Sequence, residues 1–288
     1  MKRWKNVLGI FLVLLSFSAL ITAIWFFRAG HERDGFNREK QGTEENETAQ
    51  DEGSEIYAQI SDDLELLAMY EDYNADVVGI LRIPGTVLNH PVVQTPDEED
   101  YYLLRGLDGE YNSHGVPFLS AQSQMEGEGG NRIIYGHNIR KRTRDVFCDL
   151  AYYEDLAFYK EHPVIETVSK SGTRRWLIFA YFLADNADEN PFRYSDTVDF
   201  LSKASFQDYM EEVEARNWLQ VPVARSIEDT YLTLSSCSNE LAGSGTNRMV
   251  VMAVETPYYQ DVSGIVDKSS MAESPKLPEK LSPDAEEE

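Results

Sequence analysis

The segment Thr230-Tyr231-Leu232-Thr233-Leu234-Ser235-Ser236-Cys237 reads as a strand of alternating small polar and apolar side chains that ends in a thiol. Runs of the same kind lie along the middle of the chain. Val77-Val78-Gly79-Ile80-Leu81-Arg82-Ile83 stops at Pro84-Gly85, and Thr86-Val87-Leu88 precedes Pro91-Val92-Val93. The runs 116–119, 132–135, 164–168, 175–183 and 248–254 continue the pattern. Many short strands punctuated by Pro and Gly predict a mostly β protein, with the strands closed into an antiparallel-rich barrel that leaves no open edge. Helical spacing is expected at three places. Ile56, Ile60, Leu64, Leu67 and Met69/Tyr70 form a stripe before the strands, 147–159 forms a second helix, and a long helix over 199–217 is inserted between late strands.

Bulk properties narrow the function. A formal charge of −24 argues against nucleic-acid binding, since a phosphate backbone needs a basic face to release its counterions. Two cysteines in 288 residues fit neither a disulfide scaffold nor a zinc site, so each thiol needs its own account. Cys148, after Val146-Phe147, reads as a small buried apolar residue.

Lys2, Arg3 and Lys5 precede an uncharged run, Val7 to Phe27, which as a helix is roughly 30 Å long, enough to cross a bilayer. The run is too long for a signal-peptide core and has no small-residue cleavage site at its end. It predicts a single-pass anchor with a cytoplasmic N-terminus, leaving the remainder outside the membrane. The expected organisation is a basic stub and anchor (1–28), a flexible acidic stalk (29–55), a globular domain (56–256) and a disordered acidic tail (257–288).

Three strand ends carry candidate chemistry. Ile133-Ile134-Tyr135-Gly136-His137-Asn138 delivers an imidazole, the opening segment delivers Cys237, and Asn247-Arg248-Met249-Val250-Val251 places an arginine at the start of an apolar strand. Cysteine catalysis requires a thiolate, a proton carrier and a group to balance the oxyanion formed on the attacked carbonyl. His31, His90, His114 and His162 have no cysteine or carboxylate at ligand spacing and read as surface or turn histidines. Glu98-Glu99-Asp100 and 185–189 have the composition of calcium loops but read as solvated, so no metal or cofactor is expected.

Tyr135-Gly136-His137-Asn138, Thr233 to Cys237 and Asn247 to Val251, in the order His, Cys, Arg and behind a tethered N-terminus, resemble the sortases, the cell-wall transpeptidases of Gram-positive bacteria. Papain-like peptidases place Cys before His. The stretches 78–86, 91–94, 100–103 and 146–150, with the helix over 199–217, are similar to class B members. Ser236 stands where threonine is usual in the family, and Glu99 where class B members commonly have asparagine.

The resemblance implies a sortase-like closed barrel with Cys237 as nucleophile, His137 as acid/base and Arg248 as third catalytic residue. It implies Ser235, Leu103, Tyr181 and Glu99 as substrate-groove residues. Its partners would be secreted proteins bearing a C-terminal sorting motif, with a peptidoglycan-precursor or pilin amine as acceptor. Two other functions fit parts of the sequence: a membrane-tethered adhesin or binding module without enzymatic activity, and a cysteine peptidase that transfers to water.

Overall fold

In this computed structural model, residues 44–138, 145–237 and 246–281 are described. The chain divides into two compact units, Met1–Ser54 and Glu55–Glu288. In the first, the described residues open helix α1 (Glu44–Tyr73). The stalk expected over 29–55 is thereby corrected from Glu44 onward. Glu, Ala and Gln are good helix formers, and polarity alone does not prevent them from forming a helix. The apolar run 7–27 and the end of the expected tail, 282–288, lie outside the described residues. Among the described residues no helix is long and apolar enough to cross a membrane.

The second unit is built on an eight-stranded closed barrel, in the order β1-β2-β3-β4-β8-β9-β6-β5. Its strands are β1 (Val77–Arg82), β2 (Asn89–Val93), β3 (Phe118–Leu119), β4 (Asn131–Gly136), β5 (Val164–Ser169), β6 (Gly172–Asp185), β8 (Tyr231–Cys237) and β9 (Asn247–Thr256). Neighbours are antiparallel except β2–β3 and β4–β8, which are parallel. The strands read from the sequence are present with ends shifted by a few residues, except the run 86–88, which forms the turn after Pro84-Gly85 instead of a strand, β2 starting at Asn89.

From Trp176 to Asp185, β6 is buried on both faces. Alternation is lost there because one face fills the barrel while helix α3 (Lys203–Arg216) lies against the strand. Ser202 caps α3 by accepting from the Ser205 amide, and Phe206, Tyr209, Met210 and Val213 supply its buried face at helical spacing.

The helix expected over 147–159 is instead a 3-10 turn (Cys148–Glu154) followed by the short helix α2 (Leu156–Glu161). Asp155, in extended conformation, ends the first and caps the second through the Ala157 amide. The apolar stripe of α1 is also displaced. Leu64 and Met69 are 37% and 57% exposed, whereas Asp63 is only 3% exposed. Asp63 is drawn inward by Arg82, which donates to both carboxylate oxygens at 2.6 and 2.8 Å, and Thr173 donates at 3.1 Å. Glu166 completes the network at 2.6 Å from Arg82 Nε.

The tail expected from 257 is corrected up to Leu281. Helix α4 (Ser263–Asp267) buries Val266, and β10 (Ser270–Met271) pairs with β7 (Leu219–Gln220). The Lys276 amide then donates to the Ala215 carbonyl, and Lys280 Nζ lies 2.9 Å from Asp185. The segment has too few apolar residues for a core of its own. It orders because the barrel provides the opposing surface, a partner that local composition does not reveal.

Candidate active site

Strand register brings the three candidate residues to one end of the barrel. In the parallel pair, Ile133 lies beside Thr233 and Gly136 beside Ser236. His137 directly follows the end of β4 and Cys237 ends β8, so the two residues come next after this last pair. In the antiparallel pair, Cys237 lies directly opposite Arg248. Thus two residues 100 positions apart in the chain follow or end neighbouring strands of one ladder, and the arginine arrives from the next strand.

These strand ends border a cleft of about 370 Å³ lined by Glu99, Leu103, Phe118, Tyr135, His137, Tyr194, Ser195, Ser235 and Arg248, among others. That volume falls within the range of small-ligand and peptide subsites. Its walls are fixed by buried hydrogen bonds. Tyr194 and Ser235 share a bond of 2.7 Å, Tyr209 donates to the Tyr194 carbonyl at 3.0 Å, and Ser236 donates to the Gly136 carbonyl at 2.9 Å. The rings of Phe118 and Tyr135 pack at 5.4 Å. Glu99 is held by the Ala121 amide at 2.8 Å.

His137 is half-buried, and its Nε2 is sealed from solvent with no hydrogen-bond partner among the described residues. Burial lowers its pKa, a bond to the Leu103 backbone opposes that, and the nearby His114 lowers it further. The imidazole is therefore biased to the neutral form, which can accept a proton. Arg248 Nη1 donates to the Asn247 carbonyl at 3.0 Å, and the guanidinium reaches the cleft. Burial raises the pKa of the Tyr135 phenol, opposed by a bond with Ser195.

Leu103, Glu99 and Ser235 lie in the cleft wall. Tyr181 does not: it is 1% exposed, and its ring packs edge-on against Trp218 at 5.6 Å. Its position on β6 faces the covered side of the sheet, a distinction that an unbroken apolar run conceals. Tyr194, Tyr135 and Phe118 were not singled out from the sequence. Tyr135 was legible as the neighbour of Gly136-His137, but Tyr194 sits in a 3-10 turn (Tyr194–Asp196) with no periodic signal.

One other expectation changes, that of histidines without a carboxylate partner. His90 and His114 share the carboxylate of Asp145, and His162 contacts the Pro84 carbonyl. His31 lies outside the described residues. Cys148 is buried, as read from the sequence. Among the described residues no group of three or more His, Cys, Asp or Glu is placed to hold a metal ion.

A family model described as a sortase domain matches residues 81–256. Sortase B of Staphylococcus aureus is 29% identical over 183 residues, 64% of this chain and 71% of that protein. Sortase B of Listeria monocytogenes is 32% identical over 167 residues, 58% of this chain and 65% of that protein. Among solved structures, a Staphylococcus aureus sortase B-substrate complex superposes with a TM-score of 0.61 at 24% identity, covering 74% of this chain and 94% of that one. At that identity the superposition speaks for the fold, an eight-stranded barrel of the same kind.

Proposed function

The chain belongs to the sortase family, in its class B, and from that premise we propose that it cleaves a C-terminal sorting motif of secreted proteins through a thioester on Cys237 and transfers the acyl group to an amine. As a sortase it is a cysteine transpeptidase. The observation that supports this residue assignment is the register, which pairs Gly136 with Ser236, the residues just before His137 and Cys237, and sets Cys237 opposite Arg248, with His137 and Arg248 both lining one cleft.

In the proposed cycle the Cys237 thiolate attacks the backbone carbonyl of the motif, forming a C–S bond as the C–N bond breaks. Protonated His137 gives its proton to the departing amine. The acceptor amine, from a peptidoglycan precursor or a pilin lysine, then attacks the thioester while neutral His137 takes its proton and the thiolate leaves. Arg248, permanently cationic, balances the oxyanion in both steps. Burial favours the neutral imidazole, which suits the second step and limits the fraction of enzyme charged for the first. No metal or cofactor is needed, because a thiolate supplies its own nucleophile.

Ser235, Leu103 and Glu99 would contact the motif from the cleft wall. Glu99 gives that wall a carboxylate, which favours a basic or hydrogen-bond-donating side chain in the substrate. The domain would work outside the cell, tethered by the apolar run Val7 to Phe27.

Incubation of the purified full chain in detergent with a panel of sorting-motif peptides and triglycine tests this reading. Ligated product should form with wild type and vanish in Cys237→Ala and His137→Ala. Equal inertness of wild type and Cys237→Ala across the panel removes the reading, and product formed only with water establishes a peptidase instead.

A further inference from the structure

We propose that Asp145, clamped between His90 and His114, is a positioning residue for His137, holding the backbone turn from which Phe147 supports the catalytic imidazole. The inference rests on the reading of His137 as the acid/base, and each link in it is a contact of the structure.

His114 Nδ1 lies 2.9 Å from Asp145 Oδ2, and His90 Nε2 lies 3.2 Å from Oδ1, close enough for ion pairing though off the line of a hydrogen bond. His90 comes from β2 and His114 from the loop before β3, so the carboxylate is gripped from two separate elements. The Val146 amide also donates to Oδ1, at 2.8 Å. Contact with His90 depresses the Asp145 pKa most, burial opposes it, and His114 and the Val146 amide add to the depression. The carboxylate is therefore held in its ionised form.

The next residue is in an unusual conformation. Val146 has a φ of 50°, the only positive value at a non-glycine position among the described residues. A β-branched side chain in the left-handed region is strained and persists only where its surroundings enforce it. Asp145 supplies that enforcement, aided by the Cys148 amide donating to its carbonyl at 3.1 Å. The turn then presents Phe147 to the site. Its amide donates to the His137 carbonyl at 3.0 Å, and its ring lies where a Cβ on Gly136 would stand, 2.8 Å from the nearest ring carbons. Thus the residue before the imidazole and the carbonyl of the imidazole residue itself both rest on Phe147. Without the clamp, Val146 can relax toward negative φ, and that relaxation redirects Phe147.

The test compares kinetics and His137 ring NMR signals of the full chain in detergent, using a peptide turned over by wild type and triglycine as acceptor. Spectra are recorded in a Cys237→Ala background, with His137→Gln to assign the signals. Asp145→Ala should lower kcat roughly 10- to 100-fold with KM changed less than about 3-fold, the signature of a misplaced catalytic group, and should shift the ring signals. Asp145→Asn, which keeps an acceptor for the Val146 amide, should retain most of the rate. Val146→Gly in the Asp145→Ala chain should recover both rate and signals, because glycine adopts positive φ without strain.

Wild-type kcat and unmoved signals in Asp145→Ala overturn the proposal, as does a loss that Val146→Gly fails to repair. Should Asp145→Ala not fold, His114→Phe reads the same clamp more gently, with the same two outcomes. If His137→Gln keeps the wild-type rate while Asp145→Ala still moves the ring signals, the acid/base reading fails and the positioning contact stands.

Discussion

Gly136→Ala should damage both stability and catalysis, by an amount the packing allows to be worked out. A Cβ built on Gly136 would stand 2.8 Å from Phe147 Cδ2 and Cε2 and 3.0 Å from Cγ, well inside normal contact. The ring has little freedom to retreat, since Phe147 is 0% exposed and its amide is fixed to the His137 carbonyl at 3.0 Å. Overpacking of a full core costs about 1–3 kcal/mol. For a domain of this size each kcal/mol shifts Tm by roughly 2–4 °C, so a fall of about 2–12 °C is expected. If strand β4 moves instead of the ring, His137 moves with it, and a displacement approaching 1 Å lowers kcat by up to about 100-fold. Thermal unfolding by circular dichroism and steady-state transpeptidation read the two effects. Adding Phe147→Leu, which removes the ring edge, should recover part of each. A Gly136→Ala chain with unchanged Tm and unchanged kcat would refute the packing argument, because three such contacts cannot be absorbed without movement.

Asp63→Ala should destabilise the chain strongly by stripping the buried carboxylate from Arg82 and Thr173. Because Glu166 remains at 2.6 Å from Arg82, the loss belongs toward the lower end of the ~3–5 kcal/mol typical of broken buried pairs, measured by urea unfolding. His137 predicts a pH effect: its folded pKa lies below the ordinary 6.5, so the unfolded chain binds the proton more tightly. The stability from keeping it neutral is complete above about pH 7 and is lost as pH falls through 6.5 toward the folded pKa. His137→Gln should therefore lose less stability than wild type between about pH 7 and 5 in parallel denaturant titrations. Truncation after Thr256 removes Val262 and Val266, each worth up to about 1.5–3 kcal/mol of burial, together with the β7–β10 pairing. It should lower Tm measurably, whereas a dispensable tail would leave Tm unchanged.

Much of the barrel could be read along the chain because strand character is local. Alternation in Thr230 to Cys237, and Pro-Gly at the end of Val77 to Ile83, act over a few residues and do not depend on what lies across the sheet. Short motifs likewise pointed to Cys237, His137 and Arg248 as candidates, since thiol, imidazole and guanidinium at strand ends are chemically distinctive wherever they occur.

What escaped the sequence depends on partners distant along the chain. Asp63 is buried because Arg82 reaches it, and Leu64 beside it is exposed while Leu67 of the same stripe stays in the core. Residues 263–281 fold because β7 and Asp185 meet them. Tyr181 faces the core and Tyr194 the cleft, although both are tyrosines amid apolar neighbours. His90 and His114 look like unpartnered histidines until Asp145 stands between them. The sequence by itself thus determined the strands, the barrel class and the three chemically distinctive side chains, because those follow from local periodicity and functional groups. Only the tertiary structure decided the register that sets Cys237 opposite Arg248 and the ends of β4 and β8 side by side, the cleft wall, and the meeting of His90 and His114 on Asp145, because contacts between separate strands are set by packing.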